Sequence, residues 1–140
     1  MFNVLATINW LGVALAFGAY FLLGPLWYLL LFPKLYRAAL GRAEEPETAQ
    51  NPGPLYIVGP AVCALLITIT CAILLTAFRI ESYANAISFA LLVGVGYLFT
   101  NTVNIAINPN IPRPFLYGFI TGSYHLAGML AVNLIMVAMK

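Results

Sequence analysis

Charged side chains are scarce in this sequence. Lys, Arg, Asp and Glu together make up 7% of its 140 residues, whereas about a quarter is usual in a soluble domain. Six basic residues and a formal net charge of +2 leave no basic patch of the kind that binds a polyanion, so nucleic acid is excluded as a partner. The hydrophobic share of 63% and the mean hydropathy of +0.96 indicate an integral membrane protein.

Groups that carry catalysis are scarce as well. There is one histidine, His125, and the two cysteines, Cys63 and Cys71, lie about 12 Å apart on one helix, too far for a disulfide. The acidic residues all fall in polar connecting segments: Glu44, Glu45, Glu47 and Glu81. With no carboxylate pair in the membrane, no second histidine and no glycine-rich phosphate loop, the sequence predicts no enzyme, no metal site and no cofactor.

Long apolar runs dominate what is present. Four of them are long enough to cross a hydrocarbon core of about 30 Å as helices: residues 3–32, 55–78, 84–107 and 115–139. The last two connections are short, so successive helices must pack as antiparallel neighbours. The sequence therefore predicts an all-α membrane protein, a four-transmembrane-helix antiparallel bundle that forms a single domain over residues 1–140. Gly24-Pro25 predicts a kink or a tilt in the first run.

The polar segment 33–54 separates the first two runs. Its first half predicts a short interfacial helix with basic and apolar sides, and its second half predicts an exposed acidic loop. Basic residues set the expected orientation: Lys34, Arg37, Arg42 and Arg113 adjoin one end of the bundle, and Arg79 and Lys140 adjoin the other. The positive-inside rule then predicts termini outside and residues 33–54 in the cytoplasm.

Small and polar residues recur at helical spacing on every predicted helix. On the third helix, one arc at about 100° per residue contains Ala86, Ala90, Gly94, Tyr97, Asn101, Asn104 and Asn108. Small residues allow membrane helices to approach closely, so this arc is expected to face protein. The residues predicted to pack helices in this way are Gly12, Ala16, Ala90, Gly94, Gly118 and Gly122.

Counting residues from the loops brings polar side chains of three helices to a similar depth. The predicted polar layer, which is a candidate ligand-binding site, consists of Tyr20, Tyr97, Asn101, Asn104, Tyr124 and His125. An equally good alternative is that the amides form hydrogen bonds between helices, each of which contributes about 0.6 kcal/mol. For His125, the alternatives are a satisfied hydrogen-bonding residue, a proton-linked switch, or a haem ligand shared across a dimer.

Two functions fit these residues. The first is a small polytopic membrane protein that binds or passes a small molecule through its polar layer. The second is a non-catalytic accessory subunit, in which the same stripes dock helices within a larger membrane complex. In either case the expected partners are the lipid bilayer and a second membrane polypeptide, which is another copy in a homo-oligomer or a different membrane protein.

Three motifs resemble a known family. They are GPLWY at 24–28, LFPKLY at 31–36 and RPFLYGFITGSY at 113–124. With the charged segment between them, they resemble the bacterial membrane family called domain of unknown function 1761. The resemblance implies a four-helix protein of the bacterial inner membrane with no assigned activity. It implies no catalytic residues.

Overall fold

The computed structural model describes residues 2–44 and 53–140. The part of the chain that it describes contains helices and no strand. The α-helices are α1 (Trp10–Pro25), α2 (Pro33–Ala39), α3 (Leu55–Ala77), α4 (Tyr83–Val93), α5 (Thr100–Ala106) and α6 (Pro114–Ala138). Two π-helical turns continue α1 and join α4 to α5: Leu26–Leu31 and Gly94–Phe99. Glu45 and Glu47 of the predicted acidic loop lie outside the described residues.

Four continuous helical spans are long and apolar enough to cross a membrane: Trp10–Leu31, Leu55–Ala77, Tyr83–Ala106 and Pro114–Ala138. They run antiparallel in chain order, which confirms the predicted all-α four-helix bundle. Large apolar side chains such as Leu22, Leu30, Leu55 and Leu92 lie on its outside. A water-soluble bundle would bury such residues, whereas hydrocarbon solvates them, so the surface agrees with an integral membrane protein.

The first span begins later than the sequence predicts. Residue 3 was the expected start, but Phe2–Thr7 forms a separate 3-10 helix and α1 begins at Trp10. Asn9 causes the break, because its side chain accepts a hydrogen bond from the Gly12 backbone N–H at 3.1 Å and so caps α1. Its Nδ2 also donates to the Met139 carbonyl at 2.6 Å, which ties this cap to the end of α6.

The fourth span, α6, is the centre of the bundle. It packs against each of the other five α-helices, and ten of its residues are buried, compared with four in α1 and five in α3. Three of its buried positions are glycines, which let neighbouring helices approach its backbone. The α6 helix therefore fixes where the functional side chains of the other helices lie.

The short helix α2 lies at one end of the bundle, called here the α2 end, and confirms that the first half of the polar segment is helical. Ala39 is fully buried, and its carbonyl accepts a hydrogen bond from the Arg113 backbone N–H at 3.3 Å. The opposite end carries Lys140, whose Nζ donates to the Ile80 carbonyl at 2.6 Å. These contacts fix α2 and the end of α6 to their neighbours.

Candidate functional site

Three of the six predicted polar-layer residues meet in the interior. Tyr20 on α1 is 1% exposed, and its ring packs against that of Tyr124 with 5.4 Å between centroids. The Tyr20 hydroxyl and His125 Nδ1 lie 2.6 Å apart, so the hydroxyl donates to an unprotonated nitrogen or accepts from a protonated one. The Tyr124 hydroxyl donates to the Tyr20 carbonyl at 3.5 Å. His125 is thus a hydrogen-bonded residue within the bundle.

Close approach of α1 and α6 brings these side chains together. Gly128 presents no side chain to the Tyr20 ring, and a Cβ at this position would collide with three of its ring carbons. One turn further along α1, a Cβ on Gly24 would lie 3.5 Å from the Tyr124 hydroxyl oxygen. Small residues on one helix therefore accommodate aromatic rings on the other.

A row of aromatic rings leads from this group to the α2 end. The ring of Tyr28 lies 5.3 Å from that of Tyr124 and 4.7 Å from that of Tyr36, which in turn lies 5.7 Å from Tyr117. Burial raises the pKa of Tyr36 to about 12. Tyr28, Tyr36 and Tyr117 were not among the predicted polar-layer residues. The seven-residue spacing of Tyr117 and Tyr124, which places both on one face of α6, was the signal that could have revealed the row.

The other three predicted members of the layer lie on the outside of the bundle, and the prediction that they face its interior is wrong. Tyr97, Asn101 and Asn104 are all exposed, with Tyr97 at 73%. They line an open groove of about 410 Å³ together with Gly96, Leu98 and Thr100, called here the polar groove. Within the described residues, no hydrogen bond or other polar contact engages these three side chains. The six residues therefore form two separate sites.

The π-helical turn Gly94–Phe99 is the physical reason for this correction. It accommodates one residue more than an α-helical turn would, so everything after it is rotated by about 100° relative to a continuous α-helix. Ala86 and Ala90 before the turn and Gly94 at its start are buried as predicted, but after the turn the buried face passes to Ala106. The amides lie on the opposite side as a result.

Asn108, the last residue of the predicted arc, belongs to a local turn. Its Nδ2 donates to the Ile105 carbonyl at 2.7 Å, and its Oδ1 accepts from the Asn110 backbone N–H at 2.9 Å. These bonds satisfy the side chain where the chain leaves α5.

All six predicted packing residues lie at buried positions: Gly12, Ala16, Ala90, Gly94, Gly118 and Gly122. A Cβ on Gly118 would lie 3.0 Å from the Cα of Val103, and one on Gly122 would lie 2.7 Å from the ring of Phe99. These two glycines let α5 and the end of the preceding π-helical turn lie against α6. The equally tight Gly128 was not predicted, because it lies outside the four-residue spacing of the other two.

Asn133 is a buried amide on α6. It is fully buried, its Nδ2 donates to the Ala86 carbonyl at 3.4 Å, and its Oδ1 has no hydrogen-bond partner within the described chain. An unpaired buried acceptor costs about 1–3 kcal/mol, which offsets what the long hydrogen bond contributes.

Replacement of Asn133 tests this balance. We expect Asn133→Val to change the free energy of unfolding by less than about 1 kcal/mol, because it removes the weak bond and the unpaired acceptor together. Asn133→Asp should lower it by about 3 kcal/mol, because a carboxylate would face the Ala86 carbonyl without a donor. Unfolding in mixed detergent micelles measures both. A large loss in the valine variant would instead show that Asn133 has a partner that matters for stability.

Within residues 2–44 and 53–140, no three His, Cys, Asp or Glu side chains lie close enough together to hold a metal ion. The acids that the structure describes, Glu44 and Glu81, are exposed in connecting segments. The described residues form a packed Tyr–His core and an open polar groove on four membrane-spanning helices. The protein is therefore a polytopic membrane protein of the four-helix class.

Comparison with known proteins places the chain within a family. The model of DUF1761, described as a protein of unknown function, matches residues 11–137. The chain belongs to this family, as its three motifs predict. No curated protein and no solved structure matches it.

Proposed function

We propose that this protein is a non-catalytic subunit of a bacterial inner-membrane assembly, and that its polar groove binds a second copy of the same chain within the bilayer. The observation that carries the proposal is that three polar side chains project from a membrane span and have no polar partner among the described residues. Polar groups in hydrocarbon are costly to leave unpaired, and residues of this kind are retained where they bind something. A homo-oligomer and an accessory subunit are both consistent with this requirement, and the second copy is the occupant that we favour.

The depth and direction of the amides support this proposal. Asn101 is five residues from the end of the third span at Ala106, which places its Cα about 8 Å along the helix from that end. Side chains on a helix lean toward its N-terminus, and the third span runs toward the α2 end. The amide of Asn101 therefore leans into the bilayer and away from water at the nearer surface.

The chemistry of the groove favours a second copy as the occupant. An amide has both donors and an acceptor, so the same face on two molecules related by a two-fold axis is self-complementary. Gly96, Thr100 and Asn104 follow each other at four-residue spacing along the groove, and the Cβ position of Gly96 is open. Small residues in this pattern allow two helices to approach closely enough for amides to bond.

Basic residues support the proposed orientation. Lys34, Arg37, Arg42 and Arg113 adjoin the α2 end, whereas Arg79 and Lys140 adjoin the opposite end. By the positive-inside rule the α2 end is cytoplasmic and the termini are outside.

Cysteine cross-linking in native membranes tests the groove. In a Cys63→Ser/Cys71→Ser background, Thr100→Cys should form covalent dimers with a short bifunctional maleimide. Leu26→Cys is the control, since it is exposed at a similar depth on the first span. Adding Asn101→Leu and Asn104→Leu to Thr100→Cys should lower the dimer yield about fivefold, because two amide contacts contribute about 1 kcal/mol together.

Three outcomes would overturn the second copy as occupant. If Thr100→Cys stays monomeric and native mass spectrometry finds a small molecule that the double leucine variant lacks, the groove binds that molecule. If Thr100→Cys instead links to a different polypeptide in fixed ratio, the protein is an accessory subunit of that partner's complex. Equal dimer yields with and without the amides would also contradict the proposal.

A further inference from the structure

The third span carries two helical phases in one sequence. Positions on the span can be given as angles around the helix axis, with Gly94 at zero. A continuous α-helix would place Asn101 at about −20° and Val103 at about 180°. With the extra residue of the π-helical turn, Ala106 comes to about 20° and Asn104 to about 180°. The structure adopts the second arrangement, since Ala106 is buried and Asn104 is exposed. The first arrangement continues the small-residue arc that begins at Ala86 and Ala90.

Each phase satisfies a different part of the sequence. In the π-helical register, Phe99 and Val103 fill the space that Gly122 and Gly118 leave on α6, but the amides have no partner among residues 2–44 and 53–140. In a continuous α-helix, Phe99 and Val103 would turn to lipid, which solvates them well, and Asn101 would turn toward α6. Lipid therefore favours the α-helical register, and the packing on α6 favours the π-helical one.

The balance between the registers depends on what fills the groove. A ligand shifts a conformational equilibrium by the difference between its affinities for the two states. Only the π-helical register presents the amides outward, so an occupant that bonds to them stabilises this register alone. Gly94 and Gly96 place two flexible residues within the turn where the helix must rewind.

We propose that the π-helical turn Gly94–Phe99 is a register switch for the polar groove. A second copy bound in the groove selects the π-helical register, and an empty groove lets the third span rewind into a continuous α-helix that turns Asn101 toward α6. The inference rests on the proposed function, because the bound copy is what makes the outward register favourable. Binding of the second copy is thereby coupled to a rotation of α5 by about 100°.

Distances between two spin labels test the switch. Leu22 on α1 and Ile105 on α5 are both exposed and lie outside the polar groove, so cysteines there can carry labels in the cysteine-free background. Rotation of α5 should shift the label on Ile105 by about 5 Å, which is the chord that a Cβ traces over 100°. The reference is deletion of Val95, which removes the extra residue and leaves a continuous α-helix with the outward face unchanged.

In nanodiscs that each hold one copy, the parent should show two distance populations and the deletion variant only one. Adding an unlabelled second copy should raise the population that matches the deletion variant by about twofold or more. A single population in the parent, identical to that of the deletion variant and unaffected by the second copy, would overturn the switch. Deletion of Gly96 removes the same extra residue and provides the reference if the Val95 deletion does not fold.

The two proposals fail separately. Covalent dimers through Thr100→Cys, together with one fixed distance between the labels, would leave the groove assigned and the switch excluded. Two registers whose ratio does not respond to a second copy would overturn the switch as a device of assembly. The dimer yields alone would then decide the occupant of the groove.

Discussion

Gly128→Ala should lower the free energy of unfolding by about 3 kcal/mol, since a side chain at this position overfills a packed core. The new Cβ would collide with the ring of Tyr20, which is 1% exposed and hydrogen-bonded to His125. The ring cannot rotate away without losing that bond, so α1 and α6 must separate. Unfolding in mixed detergent micelles, followed by circular dichroism, measures the loss.

Gly18→Ala on α1 is the matched control. No neighbouring residue that the structure describes lies within 4 Å of the Cβ position of Gly18, so this change should be neutral or slightly stabilising, because alanine favours the helix over glycine. If Gly128→Ala proved as harmless as Gly18→Ala, the close approach of α1 and α6 at Tyr20 would be refuted.

Tyr20→Ala should cost about 4 kcal/mol of unfolding free energy, because it removes a large buried ring from the contact between α1 and α6. Tyr20→Phe keeps the ring and loses only the hydrogen bond to His125, so it should cost about 1 kcal/mol. The difference between the two variants separates packing from hydrogen bonding. A cost for Tyr20→Phe close to that of Tyr20→Ala would mean that the Tyr20–His125 bond dominates the core.

The double variant Tyr20→Ala/Gly128→Ala links the two predictions. With the ring gone, a methyl group at position 128 meets no obstacle and partly fills the space. The double variant should therefore be more stable than the sum of the single costs predicts, by about 2 kcal/mol, since residues in contact are not additive. Simple additivity would show that the two positions do not touch.

The architecture was predictable because hydropathy and chain length nearly determine it. Spans of 22 to 25 residues follow from the thickness of the bilayer, and the short connections leave an antiparallel order. The one large error in a boundary came from Asn9. A helix cap depends on one local hydrogen bond, and the apolar sequence on either side of it does not change. The apolar run therefore predicted a start of the first span at residue 3.

The interior site was predictable only in part. Tyr20, Tyr124 and His125 were grouped correctly by depth, because rise per residue is constant along a helix. The depth of a residue does not determine which side of the helix it faces, however. A prediction of that side fails wherever the helical period changes. No residue type marks a π-helical turn in the way that proline marks a kink, so Asn101 and Asn104 were assigned to the wrong face.

The central place of α6 has a consequence for the synthesis of this protein. Among the four spans α6 is translated last, yet it supplies the surface against which each of the others packs. The first three spans must therefore wait in the bilayer with Tyr20, Phe99 and Val103 facing lipid or each other until α6 emerges. A chain that ended before Pro114 would contain three spans but would lack the α6 glycines against which Tyr20, Phe99 and Val103 pack.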